Sequence, residues 1–493
     1  MIPIKPALVL MLIGVAALPG HAWAHAFGTR YDLPLPLWIY LTGAAGAVLL
    51  SFLVMALILV RTGRIGEFAE IELSNKRFGR IATHRLSLGF LRLAAVAVFL
   101  LVLIAGIWGN QDPVHNLSPT LVWVIWWVGM AFISSLVGDL WRLINPWVIL
   151  FDWASALRRR LFPGRPGQLL PFPDSWGQWP ALLLFFAFIW IELIGKIGAV
   201  PFHLSVLIIA YSIITWLGML LFGKNVWLRR GEAFSVAFGL FARFAPFCAK
   251  SPDGGRSRLI ARPYGVGLLT DKPLSWSESV FVLFLLASVS FDGLLATFTW
   301  NDILNWILSN PLMRDLMIGL RDRGLDPLLS LQTLTLLAAP LVFALIYGIF
   351  CRLTALVAPG GPGAGEIFRW FILVLMPIAI AYHLSHYLSY LLITGQQVIP
   401  LVSDPLGTGA NWFGSAEYRV DIGLINAKFV WYFALVAIIL GHVYAVYLGH
   451  VLAIGCMQSR RSALLSQWPM LVLMLLYTVL SLWILSQPIV NGG

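Results

Sequence analysis

Two histidines stand one helical turn apart inside an otherwise apolar run. The stretch AYHLSHY, residues 381–387, places His383 and His386 between WFILVLMPIAI and LSYLLIT. Imidazole is costly in hydrocarbon unless it is paired or wet, so histidines at such a place point to function. A step of three residues turns a helix by about 300° and rises about 4.5 Å, which sends both rings out of nearly the same face. Tyr387 and Tyr390 extend that face as a polar stripe. A second apolar run, SVSFDGLLATF, carries Asp292. Two imidazoles and a carboxylate from another helix can bind a divalent metal, and zinc, manganese and cobalt suit that donor set equally. Metal-bound water would then be the nucleophile of a hydrolysis. H-x-x-H alone is a weak motif. The expectation that His383, His386 and Asp292 share one metal rests on their common depth in the membrane map below.

Other polar residues lie within apolar runs. Glu192 and Lys196 of WIELIGKIG are spaced for an internal i, i+4 ion pair, and Glu192 is also a candidate acid or base beside Asp292. His442 and His450 of GHVYAVYLGH lie on one helix. His442 is a further candidate metal ligand, whereas His450 and His203 read as structural and interfacial residues. The candidate catalytic set is therefore Asp292, His383, His386 and Glu192. The candidate metal ligands are His383, His386, Asp292, His442 and His25. No H-E-x-x-H, phosphate-binding loop, G-x-S-x-G or dinucleotide fingerprint occurs in a suitable context.

The elements that must position these groups are membrane helices. Of 493 residues, 59% are hydrophobic and 11% are charged, and apolar runs of membrane-spanning length recur along the chain. Candidate spans are 37–60, 88–109, 119–140, 180–200, 201–222, 277–298, 328–350, 370–394, 428–454 and 468–487. The predicted fold class is an all-α polytopic bundle of about ten transmembrane helices. Two more stretches, 141–160 and 231–247, are apolar but broken by charge and predict amphipathic helices on the cytoplasmic surface. Loops such as 251–258 and 358–366 read as flexible connectors.

The N-terminus MIPIKPALVLMLIGVAALPGHAWAHAFG reads as a signal peptide over 1–24, cleaved after Ala22-Trp23-Ala24, leaving a single membrane domain over 25–493. Cleavage would expose an α-amine and an imidazole on His25, a chelating pair suited to copper. With residue 25 outside, the first inner loop holds Arg61, Arg64, Lys76, Arg77, Arg80 and Arg85, while the next loop, NQDPVHNLS, has no Lys or Arg. That alternation holds along nearly all of the chain, the outer loop near 299–327 being mixed, with Arg314, Arg321 and Arg323 set against Asp302, Asp315, Asp322 and Asp326. It predicts a multi-pass protein of the cell inner membrane with both mature termini on the periplasmic side. The net charge of +11 is thus loop charge, not a basic patch with interleaved aromatics, and nucleic-acid binding is excluded as the reading. Cys248, Cys351 and Cys456 match no metal or redox spacing and would all face the cytoplasm, so no disulfide is predicted.

Several strings resemble a known family. HAFGTRYDLPLPLWIYLTGA, SVSFDGLLAT, AYHLSHYLSYLLITGQQ, PLVSDPLGTG, GHVYAVYLGH and the ending SQWPMLVLMLLYTVLSLWILSQPIV are similar to the integral-membrane fenitrothion hydrolases, over nearly the whole mature chain. The resemblance implies hydrolysis of an organophosphorus triester, releasing a nitrophenol from a dialkyl thiophosphate. It implies no site residue. Such substrates are neutral and apolar and would reach the site from the lipid bilayer. Two other classes stay open: a haem- or copper-binding redox protein, with His383 or His386 and His442 as haem ligands, and a transporter using Glu192, Lys196 and Asp292.

Overall fold

Hydrocarbon offers no hydrogen-bond partner, so each span must satisfy its backbone internally and begin at a capped, wetter end. The sequence supplies those caps. Asn116 accepts from the N–H of Ser118, Asn145 from Val148, and Asn426 from Phe429. Asp326 accepts from Leu328 and Leu329. Ser275 and Glu278 form a reciprocal capping box, which satisfies two end donors at once.

The computed structural model describes residues 33–62, 68–74, 76–162, 168–250, 258–358, 360–457 and 459–487. The expected signal peptide and His25 lie outside the described residues. Among the described residues, ten helices are long and apolar enough to cross a membrane, and each coincides with one expected span. The chain is an all-α polytopic helix bundle. The sixth span (Trp276–Leu295) and the eighth (Ala364–Ser403) form its centre, 67% and 83% buried over their most apolar windows, against 22% for the second (Arg85–Trp108) and 17% for the seventh (Pro327–Val357). The outer spans turn Phe90, Leu93, Leu341 and Leu345 outward, as lipid contact demands. The candidate catalytic residues therefore sit on the two most enclosed helices and their neighbours.

The expectation of a surface helix at 231–247 is corrected. Ala233–Phe244 is a short helix inside the bundle, with Phe234, Ala237, Phe238, Leu240 and Phe241 buried. Its charges stand at the ends and not along one face, so it has no polar side to give to water. Glu232, fully buried, caps the start by accepting from the N–H groups of Phe234 and Ser235 and from the Tyr211 hydroxyl. At the far end the Arg262 guanidinium donates to the carbonyl of Arg243, which suits the negative end of a helix. Glu232→Ala should lower the unfolding free energy by about 2–4 kcal/mol, summing a lost cap and an orphaned Tyr211 hydroxyl. Thermal unfolding in detergent checks this, and an unchanged midpoint would mean that the cap contributes nothing. The other stretch, 141–160, forms Trp141–Ile144 and Pro146–Leu161, buried at Trp141, Trp147 and Ile149. Its second helix ends in Arg158, Arg159 and Arg160.

Two connections are more ordered than their composition implies. A three-stranded antiparallel sheet joins β1 (Ile71–Glu72), β3 (Arg258–Ala261) and β2 (Phe247–Lys250), in that spatial order. Ion pairs Lys250–Glu70 and Arg258–Glu72 cross it. The motif PLVSDPLGTG ends the short helix Val398–Ser403 and continues as a loop that docks on NQDPVHNLS, where Asn110 N–H donates to Leu406 O at 2.7 Å. Gly407 has φ +66° and an added Cβ would lie 2.2 Å from the carbonyl oxygen of His115, so glycine is required there. Burial pushes the Asp404 carboxyl up, but the N–H groups of Thr408 and Gly409 outweigh it and hold the group below its ordinary range.

Candidate functional site

Two spans depart from regular α-helix where they meet. The third contains a π-helical stretch, Thr120–Val128, and the fourth another, Ile191–Gly195; these are the two π-helices among the described residues. Such wide turns are uncommon and recur at functional sites. The fourth span ends at Gly195, capped by Lys196 with a left-handed φ of +49°, and a single 3₁₀ turn, Ile197–Ala199, leads to the fifth. Trp123 of the third span ties the two irregular segments together, its indole N–H donating to Gly198 O at 3.0 Å.

Asp292 lies three residues from the end of the sixth span, opposite the middle of Met376–Ile393 in the eighth. Its Oδ2 is 2.8 Å from His386 Nε2 and receives the Tyr387 hydroxyl at 2.6 Å. Gly293 explains how the helices come so close, because an added Cβ there would lie 2.1 Å from the Tyr382 hydroxyl. Tyr382 in turn stacks on His386, with ring centroids 6.0 Å apart and planes at 23°. The Asp-Gly pair of SVSFDGLLAT thus supplies a carboxylate and the room to approach it.

An open cavity of about 570 Å³ reaches this pair, lined by Trp123, Glu192, Lys196, Asp292, His386 and Tyr390 among others. A small chamber of about 20 Å³ lies behind it, lined by Trp127, Glu192, Phe241, Asp292, His383 and Tyr387 among others. That is room for about one water molecule. Glu192, Asp292 and Tyr387 border both spaces. His383 is 5% exposed, and its Nε2 is buried without a hydrogen-bond partner. His442 Nε2 and His450 Nε2 are likewise buried without a partner, so what sets His383 apart is its place on the wall of a water-sized chamber.

The structure therefore brings Asp292, His383, His386 and Glu192 to one region, but not as a three-ligand metal centre. Tyr387 stands between the imidazoles, its ring centroid 4.6 Å from that of His383 and 4.7 Å from that of His386. The His386 Nε2 is engaged by Asp292, and among the described residues no group of three His, Cys, Asp or Glu is assembled to hold a metal. The expected convergence of His383, His386 and Asp292 is corrected to a carboxylate–imidazole–tyrosine cluster with His383 beside it. The expected Glu192–Lys196 ion pair is also not formed among the described residues, since the helix that would align them ends between the two.

His442 borders neither space. Its Nδ1 bonds to its own helix at Ile438 O, 2.8 Å away, and His450 does the same with Val446 O at 2.9 Å. The His383 ring is closely surrounded by aromatic side chains. Trp127, Phe132 and Phe241 stand 5.8–6.2 Å from the His383 ring, and the space beside it is that of a water. His203 is exposed at the start of Pro201–Phe222. The sequence reading missed Trp123, Trp127 and Phe241 as parts of the site. The clustered tryptophans of LVWVIWW were the available signal for the first two; Phe241 depended on the buried course of its helix. The chain matches no family model, no curated protein and no solved structure with which it was compared.

Proposed function

We propose that this protein is a membrane-embedded hydrolase of apolar, neutral esters, with dialkyl aryl thiophosphates as the expected substrates. The observation that carries the reading is the one-water chamber lined by His383 and Asp292, bordering a substrate-sized cavity, with His383 Nε2 buried and unpaired. Cavities of several hundred Å³ with apolar walls and a few converging polar groups are the usual form of small-molecule sites. Trp123, Ile191, Leu193 and Ile393 supply the apolar wall.

In this reading an ester enters the larger cavity from the bilayer and a water occupies the chamber. Attack forms an O–P bond, while the water proton passes to His383 Nε2 as general base. The P–O bond to the aryl group breaks, and the nitrophenolate leaves with the electron pair. Asp292 stabilises the imidazolium formed at His383. His386 and Tyr387 are positioning residues that hold Asp292 in place, and Glu192 orients the water. No step requires a metal. The site would lie in the outer half of the bundle, in a protein of the inner membrane with both mature termini outside the cytoplasm.

The protein reconstituted in lipid nanodiscs should release nitrophenol from such a thiophosphate, and a C-terminal reporter in cells should be active only outside the cytoplasm. One second reading is a transporter, favoured by Glu192, Lys196 and Asp292 together lining the open cavity, since charged residues at membrane depth mark substrate paths. Proteoliposomes separate the two. Uptake of intact ester without product supports transport, and product release without a gradient supports hydrolysis.

A further inference from the structure

The cavity contains a cation that the reading above does not use. Lys196 is the one Lys or Arg among the described residues lining the 570 Å³ space. Its side chain is exposed there and forms no ion pair among the described residues. The backbone at Lys196 is left-handed, with φ +49° and ψ +12°. That conformation costs a side-chain-bearing residue about 1–2 kcal/mol and comes free to glycine. The end of the fourth span has Gly195 before the cap and Gly198 two residues on, yet the left-handed cap position itself holds a lysine. Because the helix ends at Gly195, Lys196 is not held in i, i+4 register with Glu192, and both residues line the cavity without pairing with each other. Asp292 does not need the ammonium group, since one oxygen already has His386 and Tyr387 as partners.

We infer that Lys196 is the anion-binding residue of this cavity: it receives the aryl oxide as the P–O bond breaks and holds that anion before release. The inference rests on the hydrolase reading for its ligand class. A neutral apolar ester gives an anionic aryl product, so the cavity must accept negative charge that was absent on binding. An ammonium group on a semi-enclosed wall lowers the energy of that state more than of the ground state, which is what accelerates a reaction. Lys196 thereby discriminates esters by how much negative charge their leaving oxygen develops.

Equilibrium dialysis of the nanodisc protein against nitrophenolate, and separately against the neutral ether nitroanisole, tests this without requiring turnover. Lys196→Gln should weaken nitrophenolate binding by about tenfold and leave nitroanisole binding unchanged. Lys196→Arg, which keeps the charge, should retain the preference for the anion. If the wild type binds both probes equally, or if Lys196→Gln weakens both alike, Lys196 is not an anion site and the inference is overturned. Anion preference that depends on Lys196 in a protein that releases no nitrophenol would uphold this inference while the hydrolase reading failed. In an active protein, the Lys196→Gln loss in kcat/KM should grow as the leaving phenol becomes less acidic.

Discussion

Asp292→Asn should reduce ester hydrolysis by about a thousandfold per folded molecule. The carboxylate accepts from Tyr387 at 2.6 Å and pairs with His386 at 2.8 Å, both on Oδ2. Asparagine keeps the shape but loses the charge, so it cannot stabilise an imidazolium at His383. Its amide also brings two donors into a site that already supplies a hydroxyl donor. Loss of an aspartate that supports a histidine base, with the geometry left intact, is among the most damaging changes an acid–base site can suffer. Because removing one partner of a buried pair can itself destabilise the fold, activity is compared per folded molecule. Nitrophenol release and thermal unfolding of the same nanodisc preparation give both numbers. Hydrolysis within about threefold of wild type would make the cluster a structural hydrogen-bond network, since general acid–base catalysis contributes far more than that.

The second large effect is expected at His383. His383→Gln should cut kcat by roughly 10²–10⁴-fold, the usual contribution of a positioned general base. Glutamine fits the Trp127, Phe132 and Phe241 enclosure and can still hydrogen-bond a water, but it cannot take a proton at neutral pH. His442→Gln provides the contrast. That side chain is buried in the same bundle but bonded to its own helix, so activity per folded molecule should be unchanged. Equal losses in the two variants would assign His383 to packing and leave the chamber without its base.

Local rules were enough for the ten spans and for the helix-to-helix spacing of His383 and His386. A run of about twenty apolar residues must be helical in a bilayer whatever surrounds it, because its backbone has no other partner. The same rules failed at the short helix Ala233–Phe244. Whether an apolar helix with charged ends lies on the surface or within the bundle depends on what fills the space between the spans. Composition also left open how Asp292, His383 and His386 meet. Periodicity puts two rings on one face, but only packing shows that Tyr387 separates them, that Gly293 admits Tyr382, and that the fourth span unwinds before Lys196. By itself, the sequence determined the helices, their membrane-spanning lengths and the polar residues they carry, since these follow from hydropathy along one helix. The tertiary structure alone decided which polar atoms pair, which histidine lines a water-sized chamber and which cation lines the cavity, since these follow from contacts between residues as far apart in sequence as Trp127 and His383.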